Sequence, residues 1–155
     1  MIRIGLIADT HGMLRPHVAT VFAGVDRILH AGDVGGRAVL EGLVRIAPVD
    51  AVYGNIDDRH DPSLAAERVV TIGGVTIHVS HGNELGSPTP ALALARYAGD
   101  VVVFGHTHRP TVVREAGRLV VNPGGAGPRR FDLQPSVALL TIDDGRAAAE
   151  IISLA

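Results

Sequence analysis

Short apolar, β-branched runs that stop abruptly at a polar cluster recur along the first two-thirds of the chain. Ile2–Ala8 stops at Asp9-Thr10-His11, Arg27–Ala31 at Gly32-Asp33 and Asp50–Tyr53 at Gly54-Asn55. Further on, Thr76–Ser80 stops at His81-Gly82 and Val101–Phe104 at Gly105-His106-Thr107-His108. Runs of this length, rich in Val and Ile, predict buried strands. Between them, His17–Ala23, Arg37–Ile46 and Ala91–Tyr97 carry helical spacing, the last entered through Pro88 and Pro90. The alternation predicts an α/β fold with strands covered by helices.

The last third changes character. Thr111–Glu115, Arg118–Asn122, Val137–Ile142 and Arg146–Ile152 read as strands joined by short turns, with Asp144-Gly145 a hairpin signal. Val69–Ile72 and Thr76–Ser80 pair in the same way across Gly73-Gly74. These segments predict a second, more antiparallel sheet packed on the first. Every polar cluster falls at the C-terminal end of a predicted strand, the edge at which open α/β sheets bind ligands.

Composition narrows the chemistry. The 155 residues fit a single domain, 1–155, and 46% hydrophobic residues are enough for a core. There is no cysteine, which removes disulfides, iron–sulfur clusters and thiolate metal sites. All 14 basic residues are arginine, which removes a Walker A lysine and any lysine nucleophile. A net charge of −2 and 3% aromatic residues speak against a nucleic-acid polymer as partner. The apolar N-terminus is interrupted by Arg3 and ended by Asp9, too early for a signal core or a membrane span. A cytoplasmic protein without a membrane partner is the expectation, with homo-oligomerisation left open.

Asp, His and Asn side chains without thiolate form an oxygen and nitrogen donor set suited to divalent transition metals. Asp9, His11, Asp33, Asn55, His81, His106 and His108 are too many for one ion. If one carboxylate bridges, they divide into two sites of four, and Asp33 is the candidate bridge. Two such ions would outweigh the two carboxylates and attract an anionic substrate. A pair of ions can hold a hydroxide between them and clamp both oxygens of a phosphoryl transfer. Singly the motifs are weak, and Asp58-Arg59-His60 and Gly99-Asp100 read as decoys. Gly-His-x-His is stronger, with a chance expectation of about 0.05 in a chain of this composition.

The order Asp-x-His, Gly-Asp, Gly-Asn-x-Asp, His-Gly, Gly-His-x-His resembles the calcineurin-like metallophosphoesterases, over Met1 to about Arg130. Asn122-Pro123-Gly124 followed by Pro128-Arg129 is similar to their small bacterial and archaeal phosphodiesterase branch. The resemblance implies a four-layer α/β/β/α sandwich of two mixed sheets flanked by helices, with the metal site at the C-terminal strand ends. It implies one metal on Asp9, His11, Asp33 and His108 and another on Asp33, Asn55, His81 and His106. Asp33, Asn55 and His81 are the expected catalytic residues, and manganese is favoured over Fe, Zn, Ni or Co. The implied reaction is hydrolysis of a small phosphodiester by in-line attack of a metal-bridging hydroxide. A nuclease and a non-catalytic interaction scaffold like the retromer subunit of this fold are the alternatives.

The chain also departs from the family pattern. Ile56 stands where larger relatives carry a histidine assigned as leaving-group acid or phosphate ligand, Asn83 where a further histidine is common, and Gly125 where serine follows Asn-Pro-Gly. Asp57 reads as a turn or ligand-orienting residue. His17, His30, His60 and His78 read as structural or exposed, and Arg129 and Arg130 as surface charge. His60, four residues beyond Ile56, is the one substitute for a missing proton donor.

Overall fold

The computed structural model describes all 155 residues. Its first strand, β1 (Ile2–Ile7), lies inside a six-stranded sheet. Ile4 and Leu6 point towards the second sheet, while Ile7 points out to the helices. From Ile4 onwards both faces are buried, so Ile4–Ile7 carries no polar side chain. Gly5 sits on the helix side, where a Cβ would come within 2.9 Å of the Phe22 ring. That missing side chain lets a fully buried phenylalanine lie flat on the strand.

β1 is followed by α1 (His17–Val21), β2 (Arg27–His30), α2 (Arg37–Val44) and β3 (Val49–Val52). Strands β1, β2 and β3 are parallel, and a two-residue strand, β4 (Leu64–Ala65), adds to the edge of β3. The helix α1 is shorter than its sequence pattern because Gly24, at φ +80°, turns the chain away just after Phe22. Val39 and Leu43 bury one face of α2 against this sheet.

The second sheet has the order β5-β6-β7-β9-β8. It comprises β5 (Glu67–Ile72), β6 (Val75–Ser80), β7 (Val101–Val103), β8 (Thr111–Glu115) and β9 (Arg118–Asn122). Helix α3 (Pro90–Arg96) covers its outer face, opened by Pro90 and by the Thr89 hydroxyl accepting from Leu92 N at 3.2 Å. Val101 and Val103 enter the core between the sheets, while Val102 packs under α3 with Ala93 and Tyr97.

The C-terminal hairpin, β10 (Ser136–Asp143) and β11 (Arg146–Ser153), corrects one sequence expectation. It does not join the more antiparallel sheet; β10 runs antiparallel to β1 and extends the first sheet outwards. Beside β1 both faces of β10 are covered. Ala138, Leu140 and Ile142 face the inter-sheet core, and Val137 and Leu139 face the layer of α1 and α2. The result is four layers, helix on sheet on sheet on helix, with both sheets mixed. No helix is long and apolar enough to cross a membrane.

Candidate metal centre

The five polar clusters come from two different sheets. Asp9, Asp33 and Asn55 follow β1, β2 and β3, whereas His81 and His106 follow β6 and β7. Only the stacking of the sheets brings them together, because parallel strands that end at the same level deliver their next residues to one rim.

The backbone at this rim is unusual. Asp9, His11, Asp33, His106 and His108 all have positive φ, between 47° and 74°. Left-handed backbone costs a non-glycine residue about 1–2 kcal/mol, so something must hold it. Asp9 N donates to Gly32 O at 2.9 Å, and His11 N donates to Asp33 O at 3.0 Å. His106 N donates to Asp9 Oδ2 at 3.0 Å, tying a loop of the second sheet to a carboxylate of the first. Asn122 braces the same loop: its buried amide donates to Thr107 Oγ1 and Gly105 O, and its Oδ1 accepts from Gly124 N. The following segment then bonds to the first cluster, with Ala126 N donating to Ala8 O and Gly127 N to Asp9 O.

Asp57 acts on the opposite side. Its carboxylate accepts from Val34 N, Gly35 N and Gly54 N at 2.9–3.0 Å and so staples the Asp33 loop to the Asn55 loop. Gly54 lies so close to Asp33 that a Cβ there would collide with Asp33 Oδ1 and the Asp33 backbone nitrogen. A bulkier residue before Asn55 would displace Asp33.

The donor atoms fall into two groups. Asp9, His11 and His108 bring one donor atom each within 4.8 Å of one another, and so do Asp33, His81 and His106. Asp33 Oδ2 touches both groups, lying 3.3 Å from His11 Nε2 and 3.4 Å from His81 Nε2. Asn55 is exposed, and its Oδ1 lies 3.1 Å from His81 Nε2. His81 Nδ1 donates to Ala31 O at 2.8 Å, which leaves Nε2 as the nitrogen facing the site.

Two buried polar atoms have no hydrogen-bond partner anywhere in the protein: Asp9 Oδ1 and His11 Nε2. Such an atom costs about 1–3 kcal/mol unless something else satisfies it. Both belong to one donor group and sit 3.9 Å apart. A carboxylate oxygen and an imidazole nitrogen left open side by side match the donors that a divalent transition metal takes.

Electrostatics separate the donors further. Burial pushes the Asp9 carboxyl up to about 7, with Asp33 adding to the effect and His81 opposing it. Burial also disfavours the Asp33 carboxylate, but the hydrogen bond and charge of His81 outweigh it and hold Asp33 below the usual range. His81 is the mirror image: burial pulls it down, and Asp33 and Asp9 lift it above its ordinary value. Burial, aided by the Arg130 guanidinium, lowers His108 to about 4. Burial and His81 lower His106 as well. His106 and His108 are therefore neutral at pH 7, the form in which imidazole ligates metal.

Not every candidate joins the rim. His60 is exposed, and its amide bonds back to Asp58 Oδ1. Its neighbour Arg59, not His60, lines the pocket beside Asn55 and His81. Asp100 lies before β7, at the opposite end of the sheet, where it accepts from Thr76 N. His30 is fully buried beneath the Asp9–His11 loop, and His78 packs at 4.5 Å on Tyr97. Arg130 is more than surface charge, because its Nη1 reaches His108 Nε2 at 3.3 Å. No periodicity announces that contact; it depends on the loop that returns from β9 across the rim.

Known proteins resemble this chain in sequence and in fold. A probable metallophosphoesterase of Methanothermobacter thermautotrophicus is 34% identical over 96% of this chain and 91% of its own length. A phosphodiesterase of Methanocaldococcus jannaschii is 26% identical, covering 79% of this chain and 82% of its own. Among solved structures, Vps29 of Entamoeba histolytica superposes with a TM-score of 0.80 at 25% identity, over 99% of this chain and 100% of its own. The calcineurin-like phosphoesterase superfamily domain matches residues 2–145. That match spans every strand but β11 and every cluster at the rim, and the chain belongs to the calcineurin-like phosphoesterase superfamily.

Proposed function

We propose that this protein is a dinuclear, metal-dependent phosphodiesterase acting on small phosphodiesters. The observation that carries the reading is Asp33 Oδ2, placed 3.3 Å and 3.4 Å from a histidine of each donor group. One ion would be held by Asp9, His11, Asp33 and His108, and the other by Asp33, Asn55, His81 and His106. Bound divalent ions would supply Lewis acidity towards a phosphoryl oxygen and a nucleophilic water at neutral pH. Oxygen and imidazole donors without thiolate suit Mn²⁺, with Fe, Zn, Ni and Co within the same range.

The remaining work belongs to the chain itself. Asp33 fixes the separation of the two donor groups. His81 is locked in one tautomer by Ala31 O, so its Nε2 is presented to the site. Asn55 adds a donor without a third negative charge, which keeps the rim favourable to an anionic ester. Arg130 brings a guanidinium beside His108, free to turn to a non-bridging oxygen when His108 Nε2 ligates an ion. Ile56, 49% exposed, offers no proton to a leaving group, which favours esters of acidic alcohols.

Against the scaffold alternative stand all seven donor positions, kept in this chain, and the two open donor atoms side by side.

Elemental analysis combined with turnover of bis(p-nitrophenyl) phosphate and p-nitrophenyl phosphate tests the reading. The expected result is roughly two transition-metal ions per chain, preference for the diester, loss of activity in chelator and recovery with Mn²⁺. Full turnover by a metal-free preparation would overturn it.

A further inference from the structure

Two pockets flank the donor groups, and they differ in charge. One, of about 480 Å³, lies beside His11 and Ile56 and is lined by Asp57, Asp58 and Asp61. The other, of about 560 Å³, lies beside Asn55 and His81 and carries Arg59 and Arg96 against Glu67 and Glu84. The first pocket thus presents three negative charges and no positive one, and the second balances two of each. An anion at the rim is pushed from one side and not from the other.

Within the balanced pocket the charges are not equally committed. Arg96 pairs with Glu84 at 3.7 Å and lies over the Tyr97 ring at 5.4 Å. Glu84 Oε1 also accepts from the Tyr97 hydroxyl at 2.6 Å. Glu67 faces His78 Nε2 at 3.7 Å, on a wall closed by the hydrogen bond between His78 Nε2 and Ser80 Oγ. Arg59 has neither an ion pair nor a hydrogen bond. It is an exposed guanidinium, four residues beyond Asn55, beside Tyr53 and Asn83 in a pocket that opens onto His81.

We infer that this pocket is the subsite for the substituent of the diester, and that Arg59 receives a second oxyanion carried by that substituent. The preferred substrates are then small diesters bearing a further phosphate or carboxylate. The inference rests on the phosphodiesterase reading above and gives it a direction: the charged arm lies towards Asn55 and Arg59, away from the three aspartates. A guanidinium holds either oxyanion through paired N–H donors, so its removal weakens the anionic arm selectively. Because Arg59 is exposed, its attraction is screened by salt.

The test uses p-nitrophenyl ethyl phosphate and two analogues whose ethyl group ends in a carboxylate or in a phosphate, all three releasing nitrophenolate. Wild-type protein, loaded with Mn²⁺, is expected to favour at least one charged analogue in kcat/KM by about tenfold at low salt. That ratio should shrink as ionic strength rises, collapse towards one in Arg59→Gln and persist in Arg45→Gln, at the C-terminal end of α2. The two analogues show whether phosphate or carboxylate is the better arm. A wild-type ratio near one for both, with the ethyl ester still hydrolysed, would overturn this inference alone. So would a preference that survives Arg59→Gln. Failure of the wild type to hydrolyse any of the three would overturn the phosphodiesterase reading and this inference with it.

Discussion

The two ends of the sandwich both contain left-handed residues, for opposite reasons. At the end away from the donors, Gly73-Gly74, Ala116-Gly117 and Asp144-Gly145 each join two antiparallel strands, and all six residues have positive φ. A two-residue hairpin of the primed type requires that conformation at both positions, and the paired strands supply it locally. The carboxylate there is satisfied too, with Asp100 Oδ2 accepting from Thr76 N at 2.9 Å. At the rim no hairpin explains Asp9, Asp33 or His106. Asp9 and Asp33 are held by bonds from far along the chain. His106 sits in a γ-turn, Thr107 N donating to Gly105 O at 2.9 Å, that its own N–H ties to Asp9 Oδ2, and Asp9 Oδ1 is left without a partner. Strain that turn geometry does not require, beside a buried donor without a partner, marks the functional end. Pocket size alone would have pointed the other way, since the cleft between the hairpin turns reaches about 840 Å³.

Exchanging one carboxylate at each end tests this contrast most severely. Asp33→Asn is expected to lower kcat by about 10³-fold or more and to reduce the content of both metals. It removes charge from the carboxylate oxygen that lies nearest to histidines of both donor groups. Asp100→Asn should leave kcat and metal content as they are and cost about 1 kcal/mol of stability through the weakened Thr76 bond. Steady-state kinetics and elemental analysis on the two variants decide the matter. Turnover within about tenfold of wild type, equivalent to about 1.4 kcal/mol in the barrier, would show that Asp33 does not join the two groups.

Glycines give a finer version of the same test. Gly54→Ala pushes a methyl group into Asp33 and should lower kcat/KM by about a hundredfold while costing about 1–3 kcal/mol of stability. Gly74→Ala meets open space at φ +79° and should cost only about 1 kcal/mol with unchanged kinetics. Thermal melts separate the stability costs from the kinetic ones. If Gly54→Ala keeps its kcat/KM within about twofold, the close approach of the two loops has no part in setting the site.

Much of this was legible because strands and polar stops are local signals. Ile2–Ala8 and Thr76–Ser80 announce themselves by β-branched content, and the clusters after them by their abrupt polarity. What was not legible depends on contacts between distant segments. The C-terminal hairpin could have paired with either sheet, because a strand apolar on both faces fits inside either one, and only the return to β1 decides it. β4 is two residues long and leaves no period to read. Asp57 was readable as an orienting residue from its place after Gly-Asn. Its three amide donors, however, come partly from Val34 and Gly35, which local spacing cannot show. Arg130 and Arg59 look like any surface arginine until the loops that carry them are folded against the rim.

The rim also differs from the far end in what lies beneath it. His30 is fully buried under the Asp9–His11 loop. Its Nδ1 accepts from Gly32 N at 3.1 Å, so its Nε2 carries the proton towards Thr10 Oγ1 at 3.0 Å. The Thr10 hydroxyl in turn donates to Val34 O at 2.8 Å, which closes a chain from β2 to both ligand loops. Burial holds the ring neutral, with its pKa down at about 3. Protonation would break the Gly32 bond and place an unsolvated charge under the loop. The unfolded chain takes up this proton first, near pH 6.5, so the stabilisation is complete above that pH and is lost as pH falls towards 3. Between pH 7 and pH 5 the loss is about 2 kcal/mol, or a fall of about 4–8 °C in Tm for a domain of this size. Melts of the wild type and of His30→Leu in chelator check it, because the comparison of slopes cancels every other titrating group. His30→Leu is expected to lower Tm at pH 7, since Thr10 and Gly32 lose their partner, yet to show a shallower decline towards pH 5. Equal slopes in the two proteins would mean that the neutral imidazole does not carry the pH dependence of the loop above it.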